Sequence, residues 1–270
     1  MSTRCTSQRS RGARIKSQLN NSATSWLRGE RLLTLVNNRY NAGSVITVSK
    51  EDYLKAILEA ESEGETVISA TLAHWLKVSP PAVTMALRRL KKDSLVTVKP
   101  GGQVQLTQAG REIARRTVTR HHLIERMLSE VFGMEWYKVH DEAERLEHAV
   151  SADFEAKLVE KLGRGGDCPH GNTAAPESPA TRRKRGLQLL SEAEPEKSYT
   201  ISSVFERDRQ LLNFLEDRAM RPGARVHVNA RNYDQTVSLT TDAGDFSVGR
   251  PVAEKVWVSP GDHKLRTRSK

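Results

Sequence analysis

Long hydrophobic runs are absent from this sequence. No stretch approaches the roughly 18 to 20 apolar residues that a membrane-spanning helix needs, so we expect a soluble protein. The N-terminus is basic, but its longest apolar run, at residues 32–36, is too short and too far from the start for a secretory signal. These absences count against an integral membrane protein and against a secreted one.

Cysteine is also scarce. The chain has two cysteines, Cys5 and Cys168, which form no closely spaced motif, so a disulfide framework is not expected. This usage suggests a reducing, cytoplasmic compartment. The His-Glu-x-x-His arrangement of zinc hydrolases is missing, as is any recognisable nucleophile or base motif. A metal-dependent hydrolase is therefore the weakest of the functions considered.

Acidic residues are nearly missing from the first 48 residues. Eight basic residues stand there against a single acid, Glu30, so this segment carries +7 of the net charge of +10. Its Ser, Arg, Asn and Thr content predicts poor order. We favour a dispensable extension at residues 1–48, with a phosphate-binding arm and a transit peptide as open alternatives. The overall charge is thus weak support for DNA binding by the folded part.

The sequence does contain a stripe of side chains that can bind metals. Four of them recur at i, i+4, i+7 and i+8, on one face of a helix: His140, Glu144, Glu147 and His148. Amphipathic helices normally carry apolar residues at this spacing. A second pair, His121 and Glu125, lies one helical turn apart upstream. These stripes indicate a metal site, and the alternative is a solvated face whose charges form ion pairs.

Residues 49–107 predict a winged helix-turn-helix. Three short apolar faces indicate three helices, and two alternating strands around residues 99–102 indicate a hairpin wing. The faces consist of Tyr53, Leu54, Ile57 and Leu58, then Leu72, Ala73 and Leu76, then Val83, Leu87 and Leu90. A recognition helix presents its N-terminal residues to base edges and its cations to phosphates. The candidate DNA contacts are Ser79, Pro81, Thr84, Met85, Arg89 and Lys92. The alternative is a solvated face for the cations and a partly buried one for Thr84 and Met85.

The remainder of the chain divides by composition. In order, the parts are a helical metal-binding and dimerisation module at 108–163, a Gly- and Pro-containing linker at 164–197, a small domain of strands at 198–260 and a basic tail at 261–270. Cys168 and His170 in the linker have the chemistry of metal ligands. Because two donors in a flexible segment lack partners, we favour a simple loop role for them.

Four tracts of the chain carry a family resemblance. They are residues 84–90, 120–126, 138–148 and 168–172. Together they resemble the diphtheria toxin repressor family of iron- or manganese-dependent transcriptional regulators, over about residues 49–172 and more weakly beyond. The resemblance implies a mainly α protein with a small β part: an N-terminal winged helix-turn-helix, a helical metal-binding and dimerisation domain, and a C-terminal SH3-like β-barrel. It also implies a cytoplasmic homodimer that binds a double-stranded DNA operator and represses metal-homeostasis genes.

The resemblance also implies two metal sites. The primary site would take Asp52, Glu144, Glu147 and His148. The ancillary site would take His121, Glu125, His140 and a carboxylate from the C-terminal domain, for which Asp208 is the best match.

The chain departs from the iron-type pattern at two positions and from the manganese-type pattern at one. Iron-type members usually have Met and Cys where this chain has Asp52 and Glu144, and hard oxygen ligands suit Mn²⁺ better than thiophilic metals. We therefore expect a Mn²⁺-dependent repressor, with an Fe²⁺-dependent one as the alternative. Lys55 replaces a glutamate that helps bind a second ion in manganese sensors of the family, which argues against that two-metal site. A winged-helix regulator of an organic ligand would need an apolar pocket, whereas the stripe is polar.

Overall fold

The computed structural model of the protein describes residues 48–163 and 165–261. The extension predicted at residues 1–48 and the tail predicted at 261–270 thus lie outside the described residues, except for one residue of each at its inner end.

The first part of the described chain is a winged helix-turn-helix, as the sequence predicts. It consists of α1 (Val48–Ser62), α2 (Ser69–Leu76), α3 (Pro80–Lys92), β1 (Val96–Val98) and β2 (Val104–Leu106). The two strands pair antiparallel and form the wing. Helix α3 starts at two prolines, which the first helical turn tolerates, and buries Val83, Leu87 and Leu90 against the other helices. Its opposite face is left exposed to solvent.

The second part is helical. It consists of α4 (Gln108–Arg126), a π-helical turn (Met127–Val131), α5 (Trp136–Leu146) and α6 (Ala152–Leu162). The hydroxyl of Thr107 caps α4 by accepting a hydrogen bond from the Gly110 N–H at 3.1 Å. A Cβ on Gly110 would lie 2.0 Å from the carbonyl oxygen of Leu95, so glycine lets α4 pack against the wing. The regular part of α4 ends at Arg126, and the chain continues as the π-helical turn.

The segment predicted as a linker is folded over much of its length. It contains α7 (Pro179–Lys184), β3 (Gln188–Leu189) and a 3₁₀ turn (Leu190–Glu192). Arg182 of α7 stacks over the Trp257 ring at 5.1 Å and contacts Glu63 at 3.2 Å, and Leu190 is fully buried. The Gly, Pro and Ser content predicted flexibility, but buried contacts to other parts of the chain hold the segment.

The last part contains two helices and five strands, which form a six-stranded antiparallel sheet together with β3. Its elements are β4 (Lys197–Val204), α8 (Arg209–Glu216), β5 (Arg225–Arg231), β6 (Val237–Thr241), β7 (Gly244–Val248), α9 (Arg250–Ala253) and β8 (Val256–Pro260). The strand order is β3-β8-β4-β5-β6-β7. Strands β3 and β7 are the two edges, so the described sheet is not closed into the barrel that we expected. Trp136 of α5 packs into the core of this domain and joins it to the helical part.

Candidate metal centre

The stripe predicted on one helix divides between two places. Helix α5 ends at Leu146, with Glu147 as its C-cap, and His148 lies in the turn that follows. His140 is buried against α4, whereas Glu147 and His148 approach α1. The side chains of one sequence stripe therefore contribute to two donor groups.

The first donor group, which we call the cleft site, consists of Asp52, Glu147 and His148. Their ligand atoms all lie within 4.8 Å of one another. Asp52 Oδ1 is 2.7 Å from His148 Nε2, which is 3.3 Å from Glu147 Oε1. Hydrogen bonds to Asp52 and Glu51 raise the pKa of His148 to about 9. Two carboxylates and an imidazole fit a divalent cation, which would displace the ring proton.

Glu144 lines the same cleft but is not part of this donor group. Its Oε1 lies 3.0 Å from Arg207 Nη1 and 3.5 Å from Lys55 Nζ. Burial alone would raise the pKa of Glu144, but Lys55 and Arg207 lower it to about 2. The fourth ligand implied for the primary site is therefore engaged by two cations of the chain.

Lys55 is the buried cation at this position. Its Nζ lies 2.9 Å from each carboxylate oxygen of Glu147. Burial would lower the pKa of Lys55, but Glu59, Glu147 and Glu144 together raise it to about 12. The ammonium is therefore a fixed positive charge in the cleft.

The second donor group is buried between α4, α5 and the C-terminal domain. Its ligand atoms belong to His121, Glu125, His140 and Glu206, and all lie within 4.8 Å of one another. His121 Nε2 is 3.1 Å from Glu125 Oε1 and 3.0 Å from His140 Nδ1. Glu125 Oε2 has no hydrogen-bond partner among the described residues, although it is buried. An unsatisfied buried carboxylate oxygen is costly, and a cation in this group would satisfy it.

Cys168 and His170 lie in a loop, as we favoured, but both are buried and contact carboxylates of this donor group. Cys168 Sγ lies 3.2 Å from Glu206 Oε2, and His170 Nδ1 lies 3.4 Å from Glu125 Oε1. Burial, with the charges of Glu206 and Glu125, raises the pKa of the Cys168 thiol well above its usual value. A bound cation would be needed to hold this sulfur as a thiolate. We call these six residues the buried cluster: His121, Glu125, His140, Cys168, His170 and Glu206.

Asp208, the carboxylate expected to complete the ancillary site, lies elsewhere. It caps α8 by accepting a hydrogen bond from the Leu211 N–H at 3.0 Å, and it lies 3.4 Å from Lys255 Nζ. Glu206, two residues earlier, occupies the place predicted for it. The resemblance implied a carboxylate of the C-terminal domain, and the carboxylate that reaches the donor group comes from the loop before α8.

The candidate DNA contacts lie together on one surface. All six are exposed, and Met85 is 50% exposed although it is a large apolar residue. Thr84 donates its hydroxyl hydrogen to the Pro80 carbonyl at 3.0 Å within α3. The helix thus presents polar, apolar and cationic side chains to the solvent, as base and phosphate contacts require.

Arg207 is a residue of the site that no sequence pattern singles out. It follows β4 in the C-terminal domain, yet its Nη1 lies 2.8 Å from Glu59 of α1 and its guanidinium stacks over the Trp75 ring at 5.2 Å. Arginines are frequent in this chain, and a pattern of spacing cannot single out one that acts across domains.

Family models match three successive parts of the chain. The iron dependent repressor N-terminal DNA binding domain matches residues 46–104, the iron dependent repressor metal binding and dimerisation domain matches 107–175, and the FeoA domain matches 188–260. No helix among the described residues is long and apolar enough to cross a membrane.

Comparisons over most of the chain find relatives named for iron and relatives named for manganese at similar sequence identity. The diphtheria toxin repressor of Corynebacterium jeikeium is 31% identical, over 77% of this chain and 95% of its own length. The iron-dependent repressor IdeR of Mycobacterium leprae is 32% identical, with the same coverage of 77% and 95%. The solved structure of a manganese-dependent transcriptional repressor in complex with manganese has a TM-score of 0.70 at 31% identity, and covers 78% of this chain and 99% of that chain. The likeness alone therefore does not select one metal.

Proposed function

The chain belongs to the iron-dependent repressor family, that of the diphtheria toxin repressor, and from this premise we propose that Mn²⁺ is the ion that activates it. Members of this family are metal-dependent transcriptional repressors rather than enzymes, and they bind DNA operators as homodimers. The choice of Mn²⁺ is supported by the cleft site, where Asp52 and Glu147 offer hard oxygen donors beside His148. Zn²⁺ and Cu²⁺ bind most such sites more tightly, so selection would depend on geometry and metal supply.

One observation supports a switch at this site. Asp52 lies on α1 of the DNA-reading domain, whereas Glu147 and His148 follow α5 of the helical domain, and the two groups meet at 2.7 Å. A bound cation supplies a positive centre that both groups share. Asp52 on one side and Glu147 with His148 on the other would then hold the two domains at a fixed angle. The ion favours DNA binding only as far as it prefers this arrangement.

The angle between the DNA-reading domain and the helical domain matters because the repressor is dimeric. In a two-fold dimer it sets the separation of the two α3 helices, which must match one or more helical turns of DNA, roughly 34 Å each. We propose that Thr84 and Met85 face base edges and that Arg89 and Lys92 contact phosphates. A repressor acts where its operator is, so we also propose a cytoplasmic location.

The buried cluster is proposed to hold a second ion. His121, Glu125, His140 and Glu206 lie close enough to share one cation, and Cys168 forms a second such group with His122, Glu125 and Glu206. Glu125 Oε2 has no hydrogen-bond partner among the described residues. Cys168 makes this donor set softer than that of the cleft site, so Fe²⁺ or Zn²⁺ fits it better than Mn²⁺ does. This ion would connect α4 and α5 to the loop of Glu206 in the C-terminal domain.

The test is metal-dependent DNA binding. A duplex selected from a random pool with Mn²⁺ present serves as the probe, and fluorescence anisotropy follows binding as Mn²⁺, Fe²⁺ or Zn²⁺ is added to the metal-free protein. We expect Asp52→Ala and Glu147→Ala to lose the response to Mn²⁺. Arg89→Ala should weaken DNA binding by about 5- to 150-fold, or about 1–3 kcal/mol, and leave Mn²⁺ affinity nearly unchanged.

Each result bears on a separate claim. A full Mn²⁺ response in both ligand variants would reject the cleft site as the switch. Activation by Fe²⁺ at lower free concentrations than Mn²⁺ would reject manganese but keep the metal-dependent mechanism. A large loss of Mn²⁺ affinity in Arg89→Ala would contradict the separation between the metal site and the DNA-reading helix.

A further inference from the structure

The buried cluster is closed off from solvent by the packing around it. Each of its six residues is at most 8% exposed, and His121, Glu125 and His170 are fully buried. A pocket of about 60 Å³ lies beside the cluster, between α1, the loop of Cys168 and the C-terminal domain. This volume has room for several water molecules, so a partly hydrated ion fits into it.

The pocket leads from an exposed rim to a buried floor. Asp167 and Arg185 at its rim are exposed, whereas His122, which is 3% exposed, and Glu206 form its floor. Glu206 is also a donor of the buried cluster, so the floor of the pocket is one wall of the metal site. The pocket therefore connects the solvent with the metal-binding side chains.

The charges that line the pocket favour a cation. Three arginines of the lining each pair with a glutamate of the lining: Arg207 with Glu59 at 2.8 Å, Arg182 with Glu63 at 3.2 Å, and Arg185 with Glu177 at 2.6 Å. The other two acids of the lining, Asp167 at the rim and Glu206 at the floor, have no lysine or arginine partner among the described residues. Two negative charges thus remain along the pocket, and such charges raise the local concentration of cations.

His122 offers an available ligand at the floor of the pocket. Its Nδ1 is buried and has no hydrogen-bond partner among the described residues. Its Nε2 lies 3.7 Å from Glu206 Oε1, which is beyond hydrogen-bond length. A buried imidazole nitrogen without a partner is costly, and a passing cation would satisfy it.

The ligands at the floor overlap with those of the inner position. The floor group consists of His122, Glu125, Cys168 and Glu206, and the inner group consists of His121, Glu125, His140 and Glu206, with ligand atoms within 4.8 Å of one another in each group. Glu125 and Glu206 thus belong to both groups. An ion can therefore move from the floor to the inner position while it stays bound to these two carboxylates, without returning to water.

We infer that this pocket is the route by which the divalent cation of the buried cluster enters and leaves: Asp167 attracts the ion at the rim, and His122 receives it at the floor beside Glu206. This inference rests on the proposed role of the buried cluster as a metal site. It makes His122 a residue of the route rather than a ligand of the final position. Removing a route residue changes the barrier but not the two end states, so binding and release should slow by the same factor.

The experiment measures how fast Co²⁺ enters and leaves the full chain. Co²⁺ is the probe because its visible absorption changes when protein ligands replace water, and every protein in the series carries Asp52→Ala to remove a ligand of the cleft site. Stopped-flow mixing with Co²⁺ gives the association rate, and mixing the loaded protein with excess EDTA gives the dissociation rate. We expect His122→Leu to slow both rates by the same factor, at least about tenfold, because an apolar floor leaves the dehydrated ion without a ligand.

His74→Leu is the matched control for this variant. His74 is exposed on α2 and does not line the pocket, so its loss should leave both rates unchanged. Equal slowing in His74→Leu and His122→Leu would overturn the inference, because the effect would not depend on the pocket.

Asp167→Asn tests the rim of the pocket. Removing this charge should slow association by up to about tenfold at low ionic strength, and added salt should abolish the difference. Asp242→Asn makes the same change in the exposed turn between β6 and β7, outside the pocket, and should not alter the rate. An Asp167→Asn protein that takes up Co²⁺ as fast as its control at low salt would contradict the role of the rim.

The outcomes distinguish a failure of the route from a failure of the metal site. If Glu206→Gln binds Co²⁺ as tightly as the parent protein, the buried cluster is not the metal site and its proposed function fails. If the cluster binds Co²⁺ but His122→Leu keeps both rates, the route alone is overturned. A faster dissociation with weaker affinity would make His122 a ligand of the final position, which also overturns the route.

A second variant keeps the inference testable if His122→Leu does not fold. Thr173 is half-buried in the lining of the pocket, and its hydroxyl donates to the Ala175 carbonyl at 2.6 Å, so Thr173→Trp narrows the pocket without removing a metal-binding side chain. Slower entry and slower exit of Co²⁺ at unchanged affinity would support the route, and unchanged rates would overturn it.

Discussion

Glu206 connects the donors of the buried cluster that come from different segments. Its Oε1 lies 3.9 Å from His140 Nδ1, and its Oε2 lies 3.6 Å from His170 Nδ1 and 3.2 Å from Cys168 Sγ. Asn172 also donates a hydrogen bond to Oε2 at 2.7 Å. The amide of Asn172 thus orients the Glu206 carboxylate, whose oxygens face the sulfur of Cys168 and the ring nitrogens of the two histidines. Supporting bonds of this kind fix a ligand before the ion binds.

We expect Glu206→Gln to weaken metal binding at the buried cluster by at least about tenfold, because it removes an anionic ligand and even supporting groups contribute that much. Co²⁺ is a suitable probe, since a bound thiolate from Cys168 gives a charge-transfer band. Asp208→Asn is the matched control: Asn caps a helix about as well as Asp, and Asp208 lies on α8 outside the cluster. Equal losses in both variants would contradict the assignment of Glu206.

The sequence predicted metal-binding side chains on helices better than those in loops. His121 and Glu125 share a turn of α4, and helical spacing alone brings them together. Cys168, His170 and Glu206 are joined by long-range packing, and no local period relates residues 168 and 206. The same reason explains why Asp208 was preferred to Glu206: both are carboxylates of the C-terminal domain, and the direction of a loop side chain is not visible in the sequence.

Helices and strands were predictable from the sequence where apolar residues repeat at a regular spacing. The faces of α1, α2 and α3 and the alternation of β1 and β2 follow from periods of 3.6 and 2 residues, and the structure has these elements in the predicted order. The π-helical turn Met127–Val131 has no repeat of apolar residues that predicts it. Its extra residue changes the direction in which side chains point, but it does not change the composition of the segment. The folding of the predicted linker depends on partners elsewhere, such as Trp257 under Arg182.

This π-helical turn leaves apolar side chains exposed at its end. Val131 is 45% and Phe132 69% exposed, and Phe154 on α6 is 45% exposed. All three lie in residues 107–175, the part that matches the family's metal binding and dimerisation domain. Large exposed apolar residues are typical of protein interfaces. Because this part of the chain matches a dimerisation domain, we expect a second copy of the chain to cover these side chains.

We expect Phe132→Asp to shift the protein from dimer to monomer at micromolar concentration, because a carboxylate cannot be desolvated there without a partner. Sedimentation velocity measures this directly. Mn²⁺ affinity should persist, while DNA affinity falls because two half-sites are no longer linked. The control is Tyr233→Asp, which changes a fully exposed aromatic residue in the C-terminal domain. A Phe132→Asp protein that remains dimeric would place the interface elsewhere.

Arg207 joins the three domains of the described part of the chain. From the C-terminal domain it contacts Glu59 on α1, Glu144 on α5 and the Trp75 ring on α2, so a single side chain touches both other domains. Its neighbour Glu206 belongs to the buried cluster. Two adjacent residues therefore connect the C-terminal domain to the buried cluster and to the lining of the cleft, which gives a role to a domain whose function could not be read from its sequence. Composition could not predict these contacts, because side chains with distant partners leave no local pattern.

Arg207→Ala should lower the stability of the metal-free protein and increase the stabilisation by Mn²⁺. Losing one partner of a largely buried ion pair costs about 3 kcal/mol, so we expect a lower thermal midpoint without metal. Glu144 would then be free to bind the ion, and each tenfold gain in affinity adds about 1.4 kcal/mol at excess Mn²⁺. Differential scanning calorimetry with and without Mn²⁺ measures both effects. Arg209→Ala is the control, because Arg209 is exposed and lies 3.6 Å from Asp141, outside the cleft. An unchanged or smaller Mn²⁺-induced shift in Arg207→Ala would mean that Arg207 supports the ion rather than competing with it for Glu144.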